Sequence, residues 1–147
     1  MSAIEGETPS AQRLARGVCR ALSALGYGAL TEFPLNNGRR ADVIAVSAGG
    51  HIVIVEVKTS TADYRSDRKW TEYLDCCDAF YFAVPTSFPV ALLPEDCGLF
   101  VADDYGAEML RQAPARALNG SRRRAQTLRL AVAAMQRLTR LLDPDPG

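Results

Sequence analysis

The chain has 147 residues, of which 48% are hydrophobic, and it carries 17 basic and 17 acidic side chains. This length suits one domain with a real core, so we expect residues 1–147 to form a single domain with residues 1–8 as a flexible tail. The sequence contains no run of about 18 apolar residues, which a membrane-spanning helix would need. Residues 1–10 hold two acids, no base and no apolar segment of the signal-peptide type. A cytoplasmic protein without a membrane partner is therefore expected.

The single histidine and the four cysteines exclude several kinds of site. A Ser-His-Asp triad would need His51 beside a nucleophile, and zinc hydrolase sites usually need two or more histidines. The cysteines lack CxxC spacing, which argues against a zinc knuckle or a disulfide framework; they are Cys19, Cys76, Cys77 and Cys97. Carboxylate-and-metal chemistry is left as the main catalytic option.

The apolar pattern changes along the chain in the order typical of an α/β protein. A first helix is predicted to start at Ser10 and end at Gly26, because its apolar residues recur at helical spacing. Short apolar runs bounded by turn residues predict strands. These strands are residues 28–33, 41–46, 52–58 and 80–84, followed by a late hairpin of residues 99–102 and 108–111.

Two further helices are expected. Ser66 is predicted to cap a second helix whose apolar stripe is Trp70, Tyr73, Leu74 and Cys77. Residues 122–142 are predicted to close the chain as a long helix. Its apolar side chains share one face: Leu128, Ala131, Val132, Met135, Leu138 and Leu142.

The second and third predicted strands carry three candidate site residues. Glu56 and Lys58 share one face of the third strand, because side chains alternate along a strand. If residues 48–50 form a three-residue hairpin loop, Asp42 lies directly opposite Glu56; a two-residue loop would shift this register by one. Opposed carboxylates would repel each other, and a divalent cation between them removes that conflict. Two carboxylates, waters and a substrate phosphate form the oxygen shell that Mg²⁺ prefers.

Asp42, thirteen further residues and then Glu56-Val57-Lys58 resemble the PD-(D/E)XK nuclease motif, with Ala41 where proline often stands. A wider block resembles more specifically the MmcB-like family of bacterial DNA-repair proteins, classed as candidate endonucleases. That block consists of residues 39–44, 56–60, 63–70 and 72–73, and the resemblance spans about residues 13–142.

This resemblance implies a restriction-endonuclease-like α/β fold, with a central mixed sheet flanked by helices and a C-terminal helix. It also implies a Mg²⁺- or Mn²⁺-dependent nuclease acting on DNA in repair, with Asp42, Glu56 and the Val57 carbonyl as metal ligands. Lys58 would then orient the attacking water or stabilise the developing charge. Many nucleases of this superfamily carry a glutamate on the first helix. Residues 13–25 contain no acid, and Glu32 on the following strand is the nearest substitute.

Arginine is placed unevenly along the chain and suits phosphate binding through bidentate hydrogen bonds. Residues 109–142 contain eight arginines and no acid. The run Arg122, Arg123 and Arg124 is predicted either to bind DNA or to form a solvated helix face. Basic residues that bracket the acidic pair are better candidates for gripping phosphates beside it: Arg39, Arg40, Arg65, Arg68 and Lys69.

Three alternatives stay open at this point. Glu56 and Lys58 could be a solvent-exposed ion pair at a strand end. A DNA-binding or scaffold protein of repair could keep the fold without cutting, with other DNA-repair proteins as its partners. An RNA-processing enzyme is the third alternative, because nothing in the motif reads a 2′-hydroxyl group.

Overall fold

A six-stranded mixed sheet forms the centre of the computed structural model, which describes residues 10–66 and 69–144. The expected tail, residues 1–8, lies outside the described residues. The strands are β1 Tyr27–Pro34, β2 Arg40–Ser47, β3 Ile52–Val57, β4 Ala79–Val84, β5 Gly98–Ala102 and β6 Ala107–Arg111. The α-helices are α1 Ala11–Ala24, α2 Thr61–Ser66 and α3 Gly120–Leu142, and short 3₁₀ helices span Trp70–Cys76 and Val90–Leu92.

The strands lie in chain order across the sheet. β1, β2 and β3 pair antiparallel, β3, β4 and β5 pair parallel, and β6 returns antiparallel to β5. The element order of helix, three strands, helix and strand is that of the restriction-endonuclease-like core. The predicted α/β fold, with its mixed sheet and C-terminal helix, is therefore confirmed.

Both faces of β3 are covered, because all six of its residues are buried. Ile52 and Ile54 belong to a core on one face of the sheet, together with aromatic residues of β4. Val53 and Val55 belong to a second core on the other face, where Leu14 and other residues of α1 pack. Fully burying such a side chain contributes about 1.5–3 kcal/mol. The two cores fix β3, and with it the position of Glu56.

The first helix begins and ends as predicted. The Ser10 hydroxyl accepts a hydrogen bond from the Arg13 N–H at 3.2 Å, which caps the start of α1. Gly26 follows the helix with φ +92°, the left-handed conformation that glycine adopts most easily after a helix end. Gly17, inside the helix, packs directly against the turn that joins β5 to β6.

The prediction for the second helix is wrong in its start and in its type. Ser60 rather than Ser66 begins α2, because the Ser60 hydroxyl accepts from the Asp63 N–H at 3.1 Å. Ser66 is the last residue of α2, and its hydroxyl donates to the Asp63 carbonyl at 2.8 Å. Three residues of the predicted apolar stripe lie in the 3₁₀ helix Trp70–Cys76, and the fourth, Cys77, follows its end. Trp70 stacks on Phe80 with the ring centroids 5.5 Å apart.

The predicted apolar face of the long helix lies on one side of α3 but does not pack on the sheet. Its large members are 53–77% exposed; they are Leu128, Val132, Met135, Leu138 and Leu142. Polar side chains attach the opposite side of α3 to the backbone of the core instead. Gln126 donates to the Cys76 carbonyl at 3.1 Å, and Arg129 donates to the Pro34 carbonyl at 2.6 Å.

No helix in residues 10–66 or 69–144 has both the length and the apolar character that a membrane span requires.

Candidate active site

The β2–β3 hairpin has the register that the sequence predicts. Val43 pairs with Val55 and Ile44 pairs with Ile54. A three-residue loop closes the hairpin, with Gly50 at φ +88° and its N–H donating to the Ser47 carbonyl at 2.9 Å. One step beyond the last of these pairs, the same register sets Asp42 opposite Glu56.

At this position the strands are joined by hydrogen bonds from backbone N–H groups to the two side-chain carboxylates. Glu56 Oε1 accepts from the Asp42 N–H at 3.0 Å, and Asp42 Oδ2 accepts from the Val57 N–H at 2.8 Å. The two side chains also lie close enough for each to shift the pKa of the other. Both acids are therefore held in place by the backbone of the opposing strand.

Burial makes Asp42 and Glu56 weaker acids than usual. Burial raises the pKa of Glu56 to about 9, and the neighbouring charge of Asp42 adds to this rise. Burial also raises the pKa of Asp42, although the hydrogen bond from Val57 acts in the opposite direction. Two ionised carboxylates would repel each other strongly here, so the pair favours either a shared proton or a bound cation.

The chemistry of these donors fits a hard divalent cation. Asp42 and Glu56 offer carboxylate oxygens, and the Val57 carbonyl is the proposed third protein ligand. Among the residues that the structure describes, no cluster of three or more histidine, cysteine or acidic side chains has metal-binding geometry. Water and substrate oxygens would have to complete the shell, as is common for Mg²⁺.

Lys58 follows directly after β3 and is also buried. Its N–H donates to the Ala83 carbonyl at 2.9 Å, which continues the pairing of β3 with β4. Its positive charge acts to lower the pKa of both Asp42 and Glu56, so the ammonium lies within electrostatic reach of the pair. Glu56 is only 4% exposed and Lys58 only 5%. The alternative of a solvent-exposed ion pair is therefore wrong.

Glu32 lies beside the pair on β1, opposite Asp42. Thr31 pairs with Val43 and Phe33 pairs with Ala41, while Glu32 between them has φ +50°. Such a left-handed conformation is uncommon for a residue other than glycine and costs about 1–3 kcal/mol. The negative charge of Glu32 raises the pKa of Asp42. Strained backbone of this kind clusters at functional sites.

The C-terminal helix holds the backbone at this strained position. Arg137 of α3 donates to the Thr31 carbonyl at 2.6 Å and to the Glu32 carbonyl at 3.1 Å. One guanidinium therefore fixes both carbonyls that flank the Glu32 N–H and side chain. Sequence reasoning did not assign this role to Arg137.

A cavity of about 280 Å³ opens between α1 and the first two strands. Glu32 and Asp42 line it from the sheet, and Gln12 and Arg16 line it from α1. Sequence reasoning missed both α1 residues. Their i, i+4 spacing puts them on the same side of the helix, but only the packing of α1 reveals that this side faces Asp42.

The basic residues expected beside the acidic pair are in different environments. Arg39 forms an ion pair with Glu72 at 3.0 Å and lies over the Tyr73 ring, with 5.7 Å from its guanidinium carbon to the ring centroid. Arg40 at the start of β2 and Arg65 on α2 are exposed. Lys69 is exposed as well, and Arg68 lies outside the described residues.

The Arg122–Arg124 run is not one uniform patch. Arg123 donates to both carboxylate oxygens of Asp78 at 2.6 Å and to the Gly50 carbonyl at 2.8 Å, so its guanidinium is already engaged. Arg122 is exposed, with a long 3.7 Å contact to Asp75, and Arg124 is exposed. Gly50 lies at the opposite end of the hairpin from Glu56, about 20 Å away along the strand. This run is therefore remote from the carboxylate pair.

The sequence model of the DNA repair protein MmcB-like family matches residues 2–145. The chain belongs to the MmcB-like family. The solved structure of the SPO1766 protein of unknown function from Silicibacter pomeroyi is similar over 96% of this chain and 97% of that chain, with 42% sequence identity and a TM-score of 0.90. A repair endonuclease from Pyrococcus abyssi aligns over 54% of this chain and 38% of that chain, with 19% identity and a TM-score of 0.39. No curated protein is significantly similar to this member of the family.

Proposed function

We propose that this MmcB-like protein is a Mg²⁺- or Mn²⁺-dependent deoxyribonuclease of DNA repair. The observation that carries the proposal is the pair of opposed carboxylates, the partly buried Asp42 and the buried Glu56, with the buried Lys58 beside it. Burying Glu56 and Lys58 beside the partly buried Asp42 is costly unless these groups are paired or bound to a metal. Two facing carboxylates repel each other in the absence of a cation, whereas both can coordinate one that lies between them.

Each group has a distinct role in the proposed reaction. Asp42 and Glu56 hold the cation, with the Val57 carbonyl as a third ligand. A divalent cation held there would polarise the scissile phosphate and lower the pKa of the attacking water. Lys58 orients that water or stabilises the negative charge that develops on the phosphate, and its buried surroundings strengthen this interaction. Glu32 contributes a further carboxylate at the edge of the same site.

Exposed basic residues near the carboxylate end of the hairpin are proposed to contact the DNA backbone. Arg40 precedes Asp42 by two residues, and Arg65 and Lys69 follow β3 closely in the chain. Arg39 and Arg68 belong to the same proposed set. Contacts of this type neutralise phosphates and position the duplex without reading its sequence.

The rival proposal is a DNA-binding or scaffold protein of repair that keeps the fold without cutting. Such a protein would not need Glu56, whose raised pKa reflects unfavourable burial of its charge. Replacing Glu56 with an apolar residue would remove that burial cost. Retention of the acid together with Asp42 and Lys58 favours the enzyme.

A cleavage panel tests the proposal. Single-stranded, duplex, flap and forked DNA, together with a matched RNA set, are incubated with Mg²⁺, Mn²⁺ or EDTA. Glu56→Gln and Asp42→Asn are compared with Glu108→Gln, a control that removes an exposed acid from β6. We expect metal-dependent cutting by wild type and by the control but not by the two site variants. DNA binding without any cutting would support the scaffold, and cutting of RNA alone would make the substrate RNA.

A further inference from the structure

The cavity between α1 and the sheet is lined by Asp42 of the carboxylate pair and, on its other wall, by the basic residue Arg16. We infer that Arg16 anchors a phosphate of the substrate strand in this cavity, next to the phosphate that is cleaved. This inference rests on the proposed nuclease function and assigns to it a second phosphate site.

Arg16 differs from the other arginines of α1 in its surroundings. Arg13 donates to Asp104 Oδ2 from both Nε and Nη2, at 3.4 and 3.1 Å. Arg16 is exposed and makes no hydrogen bond or ion pair with any residue in 10–66 or 69–144; its charge only contributes to lowering the pKa of Asp104, after the larger effect of Arg13. Arg20, one turn later, does not line the cavity. Arg16 is therefore the α1 arginine that is both available and aimed at the site.

The charges around the cavity match a cation and a phosphate better than either one alone. Asp42 and Glu32 supply negative charge at the sheet wall, which a divalent cation would neutralise. Arg16 on the opposite wall then faces a neutralised site and can pair with a phosphate oxygen. Its planar guanidinium suits bidentate contact with phosphate. Gln12, one turn earlier on the same wall, adds amide donors for the same group.

The position of Asp42 places the second phosphate next to the proposed metal site. Asp42 belongs both to the metal-binding pair and to the lining of the cavity. A phosphate that reaches Arg16 through the cavity is therefore a neighbour of the phosphate on the cation. The substrate strand would run between α1 and the β1–β2 edge, over Glu32.

The test measures DNA binding separately from cleavage. Arg16→Ala is compared with Arg20→Ala, which removes the same charge from the same helix one turn later. The affinity of a fluorescent duplex is measured against salt in Ca²⁺, in place of Mg²⁺ or Mn²⁺. We expect Arg16→Ala to weaken binding by about 10-fold and to lower the slope of log K against log salt by about 1. Arg20→Ala should change affinity by less than about 2-fold.

A second measurement locates the contact. Duplexes with one neutral methylphosphonate at successive positions around the cleavage site are bound by wild type and by Arg16→Ala. At one position next to that site, wild type should lose affinity while Arg16→Ala loses none, because the variant already lacks the contact. Losses of equal size in both proteins at every position would overturn the inference.

Failure of the inference can be told apart from failure of the proposed function. If Arg16→Ala and Arg20→Ala bind and cut equally well, the inference is wrong, while metal-dependent cutting by wild type leaves the nuclease proposal standing. If wild type neither binds nor cuts DNA, the proposed function is wrong and the phosphate site is rejected with it. Because Arg16 is exposed, near-normal melting of Arg16→Ala is the control for folding.

Discussion

Asp78 and Arg123 form a bidentate salt bridge that connects the C-terminal helix to the sheet. Asp78 also accepts hydrogen bonds from the Ile52 N–H and the Leu118 N–H, both at 2.8 Å. Burial raises the pKa of Asp78, but the hydrogen bonds from Arg123, Ile52 and Leu118 outweigh it and hold the pKa below its usual value. One carboxylate therefore joins the start of β3, the segment before α3, and α3 itself.

The depressed pKa of Asp78 predicts a loss of stability in acid. The unfolded chain has the ordinary aspartate pKa of about 3.9. The stabilisation is thus fully present above about pH 4 and is lost as pH falls through the lower folded value. We expect Asp78→Asn to lower the free energy of unfolding by about 2–4 kcal/mol at neutral pH and to flatten its decline below about pH 4. Urea titrations across this range measure both effects.

The control for this prediction is Asp75→Asn, which removes an acid that is 75% exposed. Its exposed contact with Arg122 should contribute little. If Asp75→Asn and Asp78→Asn lower stability equally, the ion pair with Arg123 does not anchor α3.

Metal binding should depend on both opposed acids. Calorimetry is expected to detect Mg²⁺ or Mn²⁺ binding to wild type and to Glu108→Gln, and to detect none with Asp42→Asn or Glu56→Gln. In EDTA at neutral pH, Glu56→Gln should melt above wild type, because burial raises the pKa of Glu56 to about 9 and folding must therefore protonate this acid, a cost that the amide does not carry. Unaltered binding by both site variants would eliminate the metal site.

Removing the charge of Lys58 should affect chemistry more than folding. Lys58→Met keeps the aliphatic stem in its buried position. We expect near-normal melting and DNA affinity, with single-turnover cleavage about 10²–10³-fold slower. Lys58→Arg should also be slow, because a planar guanidinium does not replace a compact ammonium. Cleavage by both variants at the wild-type rate would show that Lys58 is not catalytic.

The arginines of α3 should differ in their contribution to DNA affinity. Arg123 is engaged by Asp78, so Arg123→Ala is expected to lower stability without changing the salt slope of DNA binding. The double variant Arg40→Ala with Arg65→Ala should lower the slope of log K against log salt by about 1–2 units. The double variant Arg122→Ala with Arg124→Ala removes two exposed charges far from Glu56, so it should change this slope by less. A larger change from the α3 pair would move the DNA path to the other end of the hairpin.

Two substitutions at Glu32 separate strain from charge. Glu32→Gly relieves the left-handed backbone and should raise the free energy of unfolding by about 1 kcal/mol, whereas Glu32→Gln keeps the strain. Both lose the carboxylate, so both should cut DNA more slowly than wild type. Thermal melts and cleavage rates measured on the same preparations check this. Normal cleavage by both variants would remove Glu32 from the site.

The carboxylate pair could be predicted from the sequence because its geometry is local. Strand alternation and one short loop determine the distance between Asp42 and Glu56. The loop residues Gly49 and Gly50 mark the turn, and a three-residue loop, one of the two lengths that the sequence left open, gives the observed register. The strands of the core were predictable for the same reason, since each consists of a short apolar run between turn residues.

The other contacts depend on residues far apart in the chain. Asp78 and Arg123 are 45 residues apart, and no pattern in either segment pairs them. The left-handed backbone at Glu32 is bound by Arg137, which is 105 residues away. The apolar pattern of α3 did not show which side of the helix faces the core. The opposite side does, and it is attached there by hydrogen bonds such as that of Gln126 to the Cys76 carbonyl. Arg16 could not be assigned because helical spacing does not tell which neighbour a polar face meets.

Gly17 gives the turn between β5 and β6 a mechanical role. A Cβ atom on Gly17 would overlap the carbonyl oxygens of Asp103 and Gly106. Glycine inside a helix costs about 1 kcal/mol relative to alanine. At this position it allows α1 to approach the β5–β6 turn closely. The turn acts as a stop against which α1 rests, one residue from Arg16. We therefore expect changes in that turn to alter how closely α1 approaches Asp42, although no residue of the turn lines the cavity.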